Sequence, residues 1–101
     1  MALMAVVVSL RLPGVSKQQW DQLRDVTGWL EQVPEGGFGH FVWWEGDDCH
    51  AVGGFESEAA FNAFGADRLM AGMASIGLQV QPEIRFHEAH EVFTPRELRL
   101  T

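Results

Sequence analysis

Histidine and carboxylate side chains are the groups in this chain that could move protons. The chain has four histidines and no tyrosine, so a phenol group is not available as an acid. His40 and His90 are the candidates for a general base, because an unperturbed imidazole titrates near pH ~6.5. Glu88 is two residues before His90, so in a regular strand the carboxylate could lie beside the imidazole and orient it. The alternative for each histidine is structural, either a hydrogen bond to a backbone carbonyl or a place at a sheet edge or dimer interface.

The spacing of the other reactive residues argues against a metal site and a cysteine nucleophile. His87 and His90 are three residues apart, so a regular strand sends them to opposite faces. Cys49 and His50 are adjacent and separate for the same reason. Gly53-Gly54 lies within a predicted strand with no lysine nearby, which is unlike a phosphate-binding loop. We therefore expect no metal ion and no cofactor.

Composition and charge argue against several function classes. The chain has 101 residues, with fourteen acidic against seven basic residues and a net charge of −7. Lys17 is the only lysine, so the basic surface needed for nucleic-acid binding is missing. The longest apolar runs fall well short of the ~20 residues that span a bilayer, and residues 1–5 do not read as a secretion signal. The single Cys49 fits a reducing compartment, so we expect a cytoplasmic protein with no nucleic-acid or membrane partner.

The first half of the chain predicts a strand, a helix and a second strand. Residues 3–11 form an apolar, β-branched run, which is typical of a buried strand. Ser16 and Gln19 have the spacing of a capping box, and apolar residues recur at helical spacing as far as Pro34. Residues 38–45 are then extended again and lead into a turn.

The second half predicts a strand, a helix and a final strand. Residues 49–55 return from the turn to complete a β-hairpin. Ser57 is the N-cap of a helix that ends before Gly77, with Phe61, Phe64, Leu69, Met70, Met73 and Ile76 expected to face inward. Residues 83–93 form the last strand.

The element order βαββαβ is typical of the ferredoxin-like α+β fold. That fold has a four-stranded antiparallel sheet with both helices on one face. We expect one domain over residues 1–93, followed by a polar tail over residues 94–101.

One face of the hairpin combines aromatic, imidazole and very small side chains. If the turn has two or four residues, His40 lies opposite Gly53, whereas a three-residue turn shifts every partner by one. Such a face suits an apolar ligand pocket, although a dry dimer interface would use nearly the same residues. The pocket residues that we predict beside His40 are Phe38, Val42, Trp44, Ala51, Gly53 and Phe55, with Phe38 paired to Phe55.

The other face of the hairpin is also apolar. It carries Phe41, Trp43 and Val52. A sheet with apolar side chains on both faces would leave one face exposed to water, because the helices cover only one. We therefore predict a homodimer in which two sheets pack face to face as a barrel.

The predicted strand order and four short motifs carry a family resemblance. The motifs are Gly37-Phe38-Gly39-His40, Phe55-Glu56-Ser57-Glu58-Ala59-Ala60-Phe61, Arg68-Leu69-Met70-Ala71-Gly72-Met73 and His90-Glu91-Val92-Phe93. With them, nearly the whole chain resembles the small dimeric α+β barrel superfamily, which includes antibiotic-biosynthesis monooxygenase-like domains and polyketide cyclases. Motifs of this kind specify fold better than chemistry.

The resemblance implies a cofactor-independent monooxygenase or a cyclase. The family often has tryptophan where this chain has Phe55. The haem-degrading branch would need an asparagine in residues 3–11 and a histidine in residues 57–77, and both are missing. On this interpretation a hydrophobic aromatic or polyketide-like molecule binds in the pocket, and His40 moves the proton with help from His90 and Glu88. The alternative is a non-catalytic ligand-binding dimer, or a stress-type scaffold filled by its own side chains.

Overall fold

The computed structural model describes residues 4–95, 98 and 100. The three helical pieces in its second half follow one another without a break, so the element order is βαββαβ as predicted. The elements are β1 (Val6–Leu12), α1 (Lys17–Thr27), β2 (Gly37–Glu45), β3 (Asp48–Phe55), α2 (Glu58–Phe64), a π-helical turn (Gly65–Leu69), α3 (Met70–Ser75) and β4 (Glu83–Glu88).

The strands form one antiparallel sheet in the order β2-β3-β1-β4. Apolar side chains on one face of this sheet pack against both helical segments, and together they form the hydrophobic core. This arrangement confirms the predicted ferredoxin-like α+β fold. The core contains Val8, Leu23, Phe55, Phe61, Phe64, Leu69 and Met73, and a smaller cluster of Leu12, Val15 and Cys49 lies beside it.

The hairpin has the two-residue turn that fixes its register. Glu45 pairs with Asp48 and His40 pairs with Gly53, as predicted. The predicted pairing of Phe38 with Phe55 is wrong, because a bulge shifts the register and Phe55 pairs with Gly37 instead.

The bulge also moves Phe38 to the other face of the sheet. It is centred on Gly39, whose φ of +136° is a conformation that favours glycine. Phe38 lies over Gly54, where an added Cβ would be 3.0 Å from the phenylalanine ring. Phe38 therefore faces away from the helices, and His40 faces toward them.

Helix α1 begins as predicted but ends earlier. Ser16 Oγ accepts a hydrogen bond from the Gln19 backbone N–H (3.1 Å), and Gln19 Oε1 accepts one from the Ser16 N–H (2.9 Å). The helix ends at Thr27 and does not continue to Pro34, because Gly28 adopts a left-handed conformation (φ +67°) and its N–H bonds back to Arg24 and Asp25. Residues 28–32, which we call the cover loop, follow this end.

The second helical segment contains one extra residue. The π-helical turn inserts a position after Phe64, so that the next buried side chain is Leu69 rather than Arg68. The insertion also corrects the prediction for Met70, whose side chain is 50% exposed.

Strand β4 ends at Glu88, five residues before the predicted end at Phe93. The backbone N–H of Ala89 still donates to the carbonyl oxygen of Ala5 (2.8 Å), but the following residues leave the sheet. The assumption that Glu88 and His90 share one face of a strand is therefore wrong. Residues 1–3, 96, 97, 99 and 101 lie outside the described residues, as do the predicted strand start at residue 3 and part of the predicted tail.

Within the described residues, no helix combines the length and apolar character needed to cross a membrane.

Candidate functional site

A largely apolar cavity lies between the sheet and the helices. Its volume is about 50 Å³, counted as the space that the centre of a water molecule can occupy. Arg24, Thr27 and His40 bring polar groups to its wall. Its other lining residues are Val8, Leu10, Leu12, Trp20, Leu23, Trp29, Ala51, Gly53, Phe55, Phe61, Phe64 and Leu69.

His40 is half-buried at one side of this cavity. Its ring meets the edge of Trp29 with centroids 4.6 Å apart and that of Trp20 at 6.0 Å. Opposite it, Gly53 has no room for a side chain, since a Cβ there would lie 3.2 Å from the carbonyl oxygen of Gly39 and 3.4 Å from the Cβ of His40. Within the part of the chain that the structure describes, the imidazole has no hydrogen-bond partner. No side-chain nitrogen of the described residues is both fully buried and unpaired, so the ring nitrogens of His40 reach solvent and are open to a ligand.

The surroundings of His40 favour its neutral form. Burial in the apolar cavity, and then the positive charge of Arg24, lower the pKa of the imidazole below its ordinary value of 6.5. At neutral pH the ring can therefore accept a proton or a hydrogen bond from a ligand.

Arg24 places a positive charge at the same cavity. Its side chain is 20% exposed, and the guanidinium contacts the carboxylates of Asp21 (3.2 Å) and Asp25 (3.3 Å) on the solvent side. A neutral base beside a cation can remove a proton from a weak acid and stabilise the anion that forms.

The predicted pocket residues divide between three places. Ala51, Gly53 and Phe55 line the cavity with His40. Phe38 lies on the opposite face of the sheet. Val42 and Trp44 are not among the lining residues and pack against the smaller core cluster.

The indole of Trp44 has a structural partner. Its N–H donates a hydrogen bond to the backbone carbonyl of Val15 (2.8 Å), which joins the hairpin to the start of α1. A partly buried tryptophan with its N–H satisfied in this way is typical of a packing residue.

Glu88 and His90 are far from His40 within one chain. β2 and β4 are the two edge strands of the sheet, and three strand spacings of ~4.8 Å separate them by about 14 Å. Glu88 and His90 are both exposed. A single protomer therefore does not bring either residue to His40.

Sequence reasoning missed the residues that the helical layer contributes to the cavity. Trp20, Leu23 and Thr27 recur at helical spacing, and this signal was sufficient to place them against the sheet. Arg24 and Trp29 were harder to find. Trp29 lines the cavity only because α1 ends early, at Gly28, and the chain then changes direction.

The face of the sheet away from the helices has exposed aromatic side chains. Phe41 is 78% exposed, Phe38 41% and Trp43 40%. The His50 ring stacks on Trp43 with centroids 5.4 Å apart, and its Nε2 lies 3.0 Å from a carboxylate oxygen of Glu45. We call this side of the sheet the open face.

Cys49 is buried and unsuited to nucleophilic chemistry, and the described residues hold no metal-binding cluster. Burial raises the pKa of the Cys49 thiol to about 11, so it stays protonated at neutral pH. Among the residues that the structure describes, histidine, cysteine and carboxylate side chains do not gather in a group of three that could hold a metal ion.

Known structures share this fold. No protein-family model matches the chain, and no curated protein matches it. A protein of unknown function from Nitrosomonas europaea is similar with a TM-score of 0.71 and 15% identity, covering 96% of this chain and 100% of that one.

Two further similar structures are oxygenases from Streptomyces. SnoaB from Streptomyces nogalater, a cofactor-independent oxygenase, has a TM-score of 0.67 and 12% identity, over 92% of this chain and 99% of its own. The monooxygenase from the gene ActVA-Orf6 of Streptomyces coelicolor, in complex with nanaomycin D, has a TM-score of 0.59 and 23% identity, over 92% and 94%. At these identities the likeness establishes the fold alone, a ferredoxin-like α+β fold that this chain shares with the two oxygenases.

Proposed function

We propose that this chain binds a hydrophobic aromatic or polyketide-like molecule in the cavity beneath its helices, and that His40 exchanges a proton with it. The observation that carries the proposal is the half-buried imidazole of His40, which has no hydrogen-bond partner in the described part of the chain. The ring nitrogens are not sealed from solvent, since no side-chain nitrogen of the described residues is both buried and unpaired, so a ligand in the cavity could take the place of water at them.

The cavity suits a ligand that is a weak acid. Its walls are apolar and aromatic, which matches a ring system, and Trp29 and Phe64 offer edges and faces for contact. Neutral His40 would take the proton of a phenol or enol, and Arg24 would stabilise the resulting anion.

The same deprotonation serves either of two reactions. In oxygenation, the electron-rich anion reduces dioxygen, so that one oxygen atom becomes a carbonyl of the product and the other leaves as water with the two hydrogens lost. In cyclisation, an enolate carbon forms a bond to a carbonyl carbon of the same molecule, and protonated His40 returns the proton to the new alkoxide. Neither reaction needs a cofactor, and the fold shared with SnoaB favours oxygenation.

We also propose that the protein is a homodimer. The exposed Phe38, Phe41 and Trp43 form an apolar patch on the open face, and a second copy packed against it would remove these rings from water. In such a dimer the cavities of the two protomers remain beneath their own helices. The predicted roles of Glu88 and His90 stay predictions, because they do not contact His40 within one protomer.

A non-catalytic role is the second candidate, and the small size of the cavity favours it. A space of about 50 Å³ holds a few water molecules, whereas cavities that bind benzene are nearer ~150 Å³. In this case the protein would be a binding module or a scaffold with a largely filled interior.

Incubation with 1-naphthol and dioxygen distinguishes these roles. Oxygenation consumes one dioxygen for each 1,4-naphthoquinone formed and releases one water, which an oxygen electrode and mass spectrometry both follow. Loss of turnover in His40→Leu, with normal turnover in the control His87→Leu on exposed β4, supports the proposal. Binding of 1-naphthol without any reaction would favour the binding module, and absence of binding would overturn the ligand site.

A further inference from the structure

Arg68 joins the helical layer to the cover loop. Its Nε (2.9 Å) and Nη2 (2.6 Å) both donate to the carbonyl oxygen of Thr27, and Nη2 also donates to the carbonyl oxygen of Gln32 (2.6 Å). These two carbonyls lie on either side of the cover loop. One guanidinium therefore holds both ends of residues 28–32.

The π-helical turn gives Arg68 this position. A regular α-helix from Glu58 onward would bring residue 68 toward the core, one turn after Phe64. The inserted residue places Leu69 in the core and Arg68 at the C-terminal end of α1, where free carbonyls favour a cation. The guanidinium carbon also lies 5.5 Å from the Phe64 ring centre.

The cover loop carries Trp29, which closes one side of the cavity. The indole meets His40 at 4.6 Å, Phe64 at 5.3 Å and Phe55 at 6.0 Å between ring centres, each edge-on. Trp29 is partly exposed and lines the cavity, so its indole lies at the boundary between the cavity and solvent on the side of His40.

A ligand as large as naphthol needs more room than a cavity of about 50 Å³ offers. The sheet wall is fixed by ladders of backbone hydrogen bonds on β3 and β1, and Leu23 on the helix wall is fully buried. The cover loop has no such ladder. Its displacement is the smallest change that both opens and enlarges the cavity.

We propose that Trp29 gates ligand access to the cavity. Arg68 is the positioning residue that holds Trp29 and the cover loop in place, so Arg68 sets the rate of ligand exchange. This inference rests on the proposed ligand site. The bonds from Arg68 to the cover loop must break or lengthen each time that Trp29 swings out.

Stopped-flow fluorescence with 1-naphthol tests the proposal in Arg68→Met, Arg68→Lys and the control Arg85→Met. Arg85 is an exposed arginine on β4, so its loss matches the change in charge and in residue type. We expect Arg68→Met to speed association and dissociation each by about tenfold, the scale of losing charged hydrogen bonds, and to change affinity by less than about threefold. Lysine keeps the positive charge but lacks the several N–H donors of the guanidinium group. The rates of Arg68→Lys should therefore fall between those of wild type and Arg68→Met.

A second measurement does not depend on a ligand. The amide N–H of Gln32 donates to the carbonyl oxygen of Gly28 (2.8 Å) inside the cover loop, and its hydrogen exchange should be about tenfold faster in Arg68→Met. Equal rates of 1-naphthol association and dissociation in wild type, Arg68→Met and Arg85→Met would refute gating by Trp29 and Arg68. They would not refute the ligand site. If no variant binds naphthol, the ligand site fails, and unchanged exchange at Gln32 then overturns the role of Arg68 as well. If Arg68→Met does not fold, Arg68→Lys is judged by the same criteria.

Discussion

Replacing His40 by leucine should stabilise the protein while removing its function. The imidazole is half-buried in an apolar cavity without a hydrogen-bond partner in the described chain. Mutational data put the cost of a buried unpaired polar group at ~1–3 kcal/mol, and because the ring nitrogens of His40 still reach solvent, its cost is at most ~1 kcal/mol. Leucine has a similar volume and keeps apolar contact with Trp29 and Trp20. Residues that serve function often cost stability in this way.

Loss of the ring contacts offsets part of this gain. The edge-on contacts with Trp29 at 4.6 Å and Trp20 at 6.0 Å are worth ~0.5 kcal/mol each at the low end of the aromatic range, and the apolar surface that leucine buries replaces some of it. We therefore expect His40→Leu to raise the free energy of unfolding by at most ~0.5 kcal/mol at pH 7. For a chain of this length, this raises Tm by at most about 2–4 °C.

The difference should widen as the pH falls. The pKa of His40 is lowered in the folded protein and is near ~6.5 in the unfolded chain, so between pH 7 and 5 the unfolded state takes up more protons at this residue. As the pH falls through this window, the wild-type protein loses stability because protonation of His40 favours the unfolded state. His40→Leu has no imidazole at this position and does not lose this stability. Chemical denaturation at pH 7, 6 and 5 measures both effects, with His87→Leu as the control that keeps His40.

A destabilisation of ~2 kcal/mol or more in His40→Leu would refute the reasoning, because it would identify a histidine that bonds within the fold. An unchanged difference between the two proteins from pH 7 to pH 5 would refute the assigned direction of its pKa.

Three other predictions concern the cavity, the helix contact and the thiol. Gly53→Ala should lower the free energy of unfolding by about 1–3 kcal/mol in chemical denaturation, because its Cβ would lie 3.2 Å from the backbone carbonyl oxygen of Gly39 and 3.4 Å from the Cβ of His40 at the cavity wall; unchanged stability would contradict this. Gly72→Val should destabilise by about 2 kcal/mol in chemical denaturation, since a Cβ there already lies 3.1 Å from Thr27, and a smaller loss for Gly72→Ala is the matched comparison. Cys49, with its pKa raised to about 11, should resist iodoacetamide at pH 8 until the chain is unfolded, and rapid labelling of the folded protein would contradict its burial.

The fold could be predicted because local signals and global topology agree. The capping box at Ser16 and the two-residue turn between Glu45 and Asp48 are local features that fix the start of α1 and the hairpin register. The position of His40 opposite Gly53 follows from that register alone.

The errors come from single residues that change the local period. Gly39 introduces a bulge that turns Phe38 to the open face, and Gly28 ends α1 before the apolar pattern does. The π-helical turn that begins at Gly65 was not predicted, and its extra residue turns Met70 out of the core. Each of these changes depends on tertiary contacts, such as the bonds from Arg68 to Thr27, that sequence spacing does not contain.

The candidate site was half predicted for the same reason. Strand alternation identified His40, Ala51, Gly53 and Phe55, because they share a face of regular β structure. Arg24 and Trp29 come from the opposite layer, and their distance from His40 depends on how the helix and loop pack.

The imidazole signals of His40 in a nuclear magnetic resonance titration test the central claim most directly. On addition of 1-naphthol at neutral pH, the account predicts saturable shifts at His40 and at the indole N–H of Trp29, with no change at His87 on the exposed strand. If the signals of His40 and Trp29 do not shift, or if shifts appear only on the open face at Trp43, a ligand site beneath the helices is contradicted.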